Sequence, residues 1–221
     1  MALPHSLSPL AYPARYQFNN PVGAIDSEFL ARTACSDVCV QMILEYYTEK
    51  SQSLVAIRKA SGGPNDGVHG LTPAQQLRVL SASGVHHYKY AVGIDYNFIL
   101  NKAVNVGPVI VYVGYRGYPL NGNNRCGTSY RAVVGGKTDC TFNGAHAVLA
   151  IGMKRIAKPD GTLIRWDAIM RDPDHNSSAR PEKPPYDQFP QQSLGEAMKH
   201  LVTDTDWNHT GCLYPTLKKV L

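Results

Sequence analysis

Three residues stand in chain order in settings that suit a nucleophile, a base and an orienting carboxylate: Cys35, His146 and Asp172. Cys35 lies in Ala34-Cys35-Ser36-Asp37-Val38-Cys39, directly ahead of a stretch with helical apolar spacing. His146 lies in Gly144-Ala145-His146-Ala147-Val148-Leu149, which reads as a buried strand, and Asp172 follows at the end of the next strand, in Met170-Arg171-Asp172-Pro173. A free thiol, with an ordinary pKa of about 8.5, is only partly ionised at neutral pH. A helix N-terminus favours the thiolate, and an imidazolium partner favours it further. The same N–H groups can donate to an oxyanion on an acyl carbon. The chemistry these residue types serve is acyl transfer through a cysteine.

Each residue also has a plainer reading. Cys35 fits a buried structural cysteine, His146 a satisfied core histidine, and Asp172 an ordinary Asp-Pro turn opener. These readings weaken jointly, because all three residues occupy the expected element in the expected order. Rival bases are His69, His86, His87, His175, His200 and His209, none of which sits in a small-residue strand setting like that of His146. Rival carboxylates are Asp167, in mid-strand, and Asp174, beyond the proline.

The elements that must position these residues follow from periodicity and turn chemistry. Val38, Cys39, Met42, Ile43, Tyr46 and Tyr47 give one apolar helical face after Cys35. Ser51 or Ser53 caps a short helix through Leu54 and Ile57. Thr72-Pro73 starts another, which Gly84 ends. A further helix is expected near Tyr96 to Val104, and a buried strand at Val109-Ile110-Val111-Tyr112-Val113. Strands are expected near 145–153 and 163–170, joined by the turn Lys158-Pro159-Asp160-Gly161. A proline-rich loop spans Pro173 to Pro190, and Ser193-Leu194-Gly195-Glu196 opens a last helix. Helices come first and strands later, the strands pairing as an antiparallel sheet, so the fold class is α+β. Residues 1–25 read as an extended lead-in. Residues 26–221 read as one domain, with an insertion at about 114–140 bordering the His146 strand.

Composition narrows the classes. The chain has 221 residues, 43% hydrophobic and 18% charged, which suits one globular domain. The net charge of +5 is carried by scattered Lys and Arg, so no nucleic-acid footprint is indicated. No segment approaches the length of a membrane span. The first ten residues lack a basic n-region and a continuous apolar stretch, so a Sec-type signal is not expected. Five cysteines cannot all pair within one chain. Cys39 reads as a core residue. Cys126 and Cys140 are either bridged or two free thiols, and Cys212 is isolated. No Cys-x-x-Cys pair or common zinc spacing occurs, so neither metal nor cofactor is expected.

The run from Cys35 to Leu44 resembles the catalytic helix of papain-like peptidases of the bacteriocin-processing C39 type and of related secreted effector proteases. Those helices carry the catalytic Cys, a small residue four positions on, and a Met-aliphatic run. Gly107-Pro108-Val109-Ile110-Val111, Gly144-Ala145-His146-Ala147-Val148 and Arg171-Asp172-Pro173 resemble that family's strand before the histidine, its His strand and its Asp-Pro turn. The resemblance covers residues from about 26 to about 175. It implies a papain-like fold and a thiol peptidase with Cys35 as nucleophile, His146 as base and acid, and Asp172 orienting the imidazole. The substrate would be a protein or peptide, cut after paired glycines as in that type. One departure is plain. The family places a Gln shortly before the Cys as oxyanion donor, and here that stretch holds Glu28, which cannot donate when ionised. Gln17, Asn19, Asn20 or backbone N–H groups would have to serve.

A peptidase domain without a transporter or Sec signal is expected to be a delivered bacterial effector or toxin, with a cognate immunity or inhibitor protein; cytoplasmic residence is the alternative. Three other readings compete. One is a peptidoglycan amidase or acyltransferase on the same fold. Another is a catalytically decayed binding module, and the third a metal-binding or redox protein.

Overall fold

The computed structural model describes residues 15, 33–63, 70–92, 94–114, 145–171, 173, 187–190 and 211–219. The helices among them are α1 (Cys35–Thr48), α2 (Leu54–Ser61), α3 (Pro73–Ala82) and α4 (Tyr96–Asn105). The strands are β1 (Tyr88–Val92), β2 (Val109–Gly114), β3 (Ala145–Ala157), β4 (Leu163–Arg171), β5 (Asp187–Pro190) and β6 (Gly211–Pro215). They form one sheet in the order β1-β6-β2-β3-β4-β5, every neighbouring pair antiparallel.

Both faces of the sheet are covered. Val38, Cys39, Met42 and Ile43 of α1, with Leu54, Ile57 and Leu80 of α2 and α3, pack with Ile110, Tyr112, Ala147, Leu149 and Leu213. On the other face Ile99, Leu100, Ala103 and Val104 of α4 pack with Val109, Val111, Val148, Ala150 and Met170. Burial on two sides explains why the centres of β2 and β3 are unbroken apolar runs rather than alternating ones.

The local chemistry of the elements is as the residues dictate. Ser53 Oγ accepts from the Ala56 N–H at 3.2 Å, so Ser53 rather than Ser51 caps α2. Thr72 and Gln75 close a reciprocal capping box over Pro73. After α3 the Val85 N–H returns to the Leu80 carbonyl at 2.9 Å, with Gly84 at φ +87°, a turn that only glycine makes without strain. Asp160 Oδ1 accepts from the Thr162 N–H at 2.8 Å in the β3–β4 turn.

Several expectations need correction. The region from Ser36 to Leu44 in α1 is buried all round, not along one face. It is a central helix, enclosed by α2, α3 and the sheet. The order is not helices and then strands, since β1 precedes α4. The loop expected up to Pro190 ends in β5, an edge strand, where a proline at the end costs no ladder bond. β3 continues to Ala157, past a register irregularity between Ala150 and Gly152. β6 was not expected at all: five residues with no clear period, inserted between β1 and β2. The expected insertion (apart from Gly114), the helix at Ser193, Cys126 and Cys140 lie outside the described residues. Within the lead-in Arg15 is described, and its guanidinium pairs with Glu45 of α1. Among the described residues no helix is long and apolar enough to cross a membrane, and no cluster of His, Cys, Asp or Glu is placed to hold a metal ion.

β6 yields two predictions. A Cβ at Gly211 would lie 2.5 Å from the Tyr90 ring and 2.6 Å from the Ala91 carbonyl oxygen. Gly211→Ala should therefore cost about 1–3 kcal/mol in urea denaturation, by forcing β1 and β6 apart; a cost near zero would contradict that packing. Burial pushes the Cys212 thiol up to about 12. The folded chain then keeps a proton that the unfolded chain sheds. This contribution to stability is full below pH 9 and is lost as pH rises toward 12. Melting temperature should fall over that window, and Cys212→Val should make the fall shallower.

Candidate active site

The turn into α1 is built without a side-chain cap. Ala34 occupies the N-cap position with φ −87° and ψ 8°, and the first helical bond runs from the Val38 N–H to its carbonyl at 2.9 Å. A Ser, Thr or Asp there would normally accept from the first-turn N–H groups. Ala34 has no acceptor to offer, so its side chain leaves those donors available. Cys35 is the first residue of this helix, half-buried, with a free thiol, while Cys39 one turn on is fully buried.

The turn is held from outside instead. Asp37, wholly buried, faces Arg58 of α2, which is 3% exposed. Arg58 Nε donates to Asp37 Oδ1 at 2.9 Å and Nη2 to Oδ2 at 2.7 Å. Nη2 also donates to the Thr33 carbonyl at 3.3 Å. Burial pushes the Asp37 carboxyl upward in pKa, and the Arg58 guanidinium opposes this. Ser36 Oγ accepts from the Leu71 N–H at 2.8 Å. Gln76 Nε2 donates to the Leu71 carbonyl at 2.7 Å, and the Tyr112 hydroxyl donates to Gln76 Oε1 at 2.8 Å. A relay of hydrogen bonds thus runs from β2 through α3 to the residue after Cys35. Gly70 completes the approach: a Cβ there would meet Ser36 Oγ at 2.9 Å and the Thr33 carbonyl oxygen at 3.0 Å.

Contacts along α1 show which end of the sheet Cys35 reaches. Near the C-terminus of α1, Tyr47 Oη lies against Gly107, just before β2. Cys39 and Tyr112 belong to one buried cluster, and burial pushes the Tyr112 hydroxyl up in pKa. With the relay from Tyr112 through Gln76 and Leu71 to Ser36, these contacts run α1 antiparallel to β2, its first turn toward the end where β2 finishes. Val113 pairs with His146, one step beyond the Tyr112–Ala147 pair. Cys35 and His146 therefore occupy the same end of the sheet. His146 is 5% exposed. Strict alternation puts it on the side of Val148 and Ala150, whereas α1 covers the side of Ala147 and Leu149. A pairing of Cys35 with His146 would therefore have to pass around the end of β3 rather than across its face. Arg171, the last residue of β4, pairs with Leu149, so β4 also ends there. Asp172 itself lies outside the described residues.

The structure separates several rivals from Cys35. His87 stacks edge-on against Tyr47 with centroids 4.6 Å apart, at the far end of α1. His86 Nδ1 is 2.9 Å from Ser81 Oγ, at the end of α3. Asp167 pairs across the strands with Lys154, eight residues or about 26 Å along β3 from His146, and is bound to Arg165 at 2.7 Å. His69, His175, His200, His209, Asp174, Gln17, Asn19, Asn20 and Glu28 lie outside the described residues. Sequence reasoning missed Asp37, Arg58 and Gln76. A signal was available for Asp37: an acid inside an otherwise apolar helix needs a buried partner.

No family model matches the sequence, and no curated protein matches it. Similar solved structures include the following two. The crystal structure of a C39-like peptidase from Bacillus anthracis is 12% identical, with a TM-score of 0.54 over 98% of this chain and 100% of that chain. The peptidase domain of Streptococcus ComA, a bifunctional ABC transporter involved in a quorum-sensing pathway, is 13% identical. Its TM-score is 0.46 over 88% of this chain and 97% of that chain. The fold is that of the first: α+β and papain-like, a central helix packed against an antiparallel sheet.

The buried pair gives a prediction. Arg58→Met leaves the Asp37 carboxyl buried without its cation and should cost about 3–5 kcal/mol, whereas Asp37→Leu with Arg58→Met should recover most of that loss. Chemical denaturation of the two variants checks the difference.

Proposed function

We propose that the chain is a thiol peptidase acting on protein or peptide substrates. The observation that carries the reading is a half-buried free thiol at the uncapped N-terminus of a central helix, in a fold shared with a C39-like peptidase. In the proposed reaction the Cys35 sulfur attacks the scissile carbonyl carbon, and His146 takes the thiol proton. First-turn N–H groups of the helix stabilise the oxyanion. The C–N bond then breaks as His146 returns the proton to the leaving amine. Water, deprotonated by the same imidazole, cleaves the thioester and restores the thiol. Asp172 orients the imidazole. Cleavage after paired glycines, a role as a delivered effector or toxin, and a cognate immunity protein extend this proposal. So does the division into a lead-in of residues 1–25 and a domain of residues 26–221.

Alkylation of Cys35 by iodoacetamide at neutral pH tests the chemistry. The intact protein should react fast, and His146→Ala should slow it by about tenfold or more. Cys35→Ala should abolish cleavage of a substrate found by proteome-wide search, by a factor of roughly 10⁴. An alkylation rate unchanged by His146→Ala would sink the reading and favour a binding module. Release of stem peptides from cell walls without protein cleavage would favour an amidase.

A further inference from the structure

The Asp37–Arg58 pair lies beside the proposed nucleophile, and the reaction as written does not use it. Thr33 and Asp37 stand two residues before and two residues after Cys35. One guanidinium binds both: Arg58 donates to the two oxygens of Asp37 at 2.9 and 2.7 Å and to the Thr33 carbonyl at 3.3 Å. Its side chain is 3% exposed and that of Asp37 is 0%. The buried fork therefore ties together the residues two before and two after Cys35. No N-cap side chain fixes this turn. Its backbone geometry rests on Arg58 on one side and on the Ser36–Leu71 bond at 2.8 Å on the other.

We infer that Arg58 is a positioning residue for Cys35, holding the first-turn N–H groups where an oxyanion can use them. The inference rests on the acyl-transfer reading above. Its physical basis is geometric. Oxyanion donors lose about 10²-fold in effect when displaced by an ångström. A planar guanidinium can hold a carboxylate and a carbonyl at once, and an ammonium cannot reproduce that fork. The charge of the pair is balanced, so the clamp fixes the turn without setting a net charge beside the sulfur.

Two small probes separate this from a merely structural role. Iodoacetamide alkylates the sulfur by direct displacement and needs a thiolate but no oxyanion site. p-Nitrophenyl acetate acylates the sulfur, expelling p-nitrophenolate, and needs both. In Arg58→Lys, which keeps the charge, the acylation rate should fall about tenfold or more while alkylation stays within about threefold of the intact protein. Parallel changes in both rates, or no change in either, would overturn the inference. If Arg58→Lys does not fold, Asp37→Asn breaks the same clamp from the other side. The ratio of acylation to alkylation should then drop by about tenfold, whatever the new local charge does to the thiolate, and an unchanged ratio overturns the inference. Cys35→Ala sets the background. A wild-type protein with no acylation above that background overturns the acyl-transfer reading and this inference together. A wild-type burst with an unchanged ratio in the variants overturns the inference alone.

Discussion

A helix that is apolar on every side must be packed on every side, and any charge it carries must be answered inside the protein. α1 is that helix, buried from Ser36 to Leu44, with Asp37 in its first turn. The bidentate pair with Arg58 answers the charge, and in doing so it ties α2 to the entrance of α1. The rest of the helical layer is arranged around this. α3 is held by the Gln76–Leu71 and Tyr112–Gln76 bonds, and its leading loop delivers the Leu71 N–H to Ser36. Such a pair adds little net stability over an apolar core of the same shape. What it supplies is a fixed geometry at one place.

That place is where chemistry is proposed. Most helices meet their orphan N–H groups with a capping side chain. α1 begins at Ala34-Cys35 and leaves them uncapped by that residue, at a point where the chain is held by contacts on both flanks. Stability is forgone at the donors, and rigidity is provided by their neighbours. The sheet makes the complementary arrangement. β2 and β3 are buried on both faces, so their register is strongly specified, and the Val113–His146 pair is set at the end that Cys35 reaches. By the alternation of β3 His146 stands on the face away from α1, so the proposed pair with Cys35 would form around the strand's end.

Much of this was legible in the residues. The caps at Ser53 and Thr72, the glycine after α3, the Lys158–Gly161 turn and the core of β2 and β3 all depend on neighbours within a few positions. Local propensity and short-range hydrogen bonding are enough to fix such features. Cys35 at a helix start and His146 on a buried strand belong to the same class, because each is a statement about one residue and its immediate neighbours.

What the sequence alone could not decide is what depends on distant segments meeting. β6 has five residues and no period of its own, and it becomes a strand because β1 and β2 leave a place between them. β5 likewise exists because β4 offers an edge. Asp37 and Arg58 are 21 positions apart, and Tyr112 and Gln76 are 36 apart, so no local pattern pairs them. The sequence by itself determined which residue types begin the helix, line the strands and turn the chain, since those choices are settled by backbone sterics and near neighbours. Tertiary structure decided which charge is buried against which, which strands complete the sheet, and that Cys35 and His146 share one end of it. Those outcomes come from burying apolar surface on both sides of the sheet at once, a constraint that acts on the whole fold and leaves no mark in a short window of sequence.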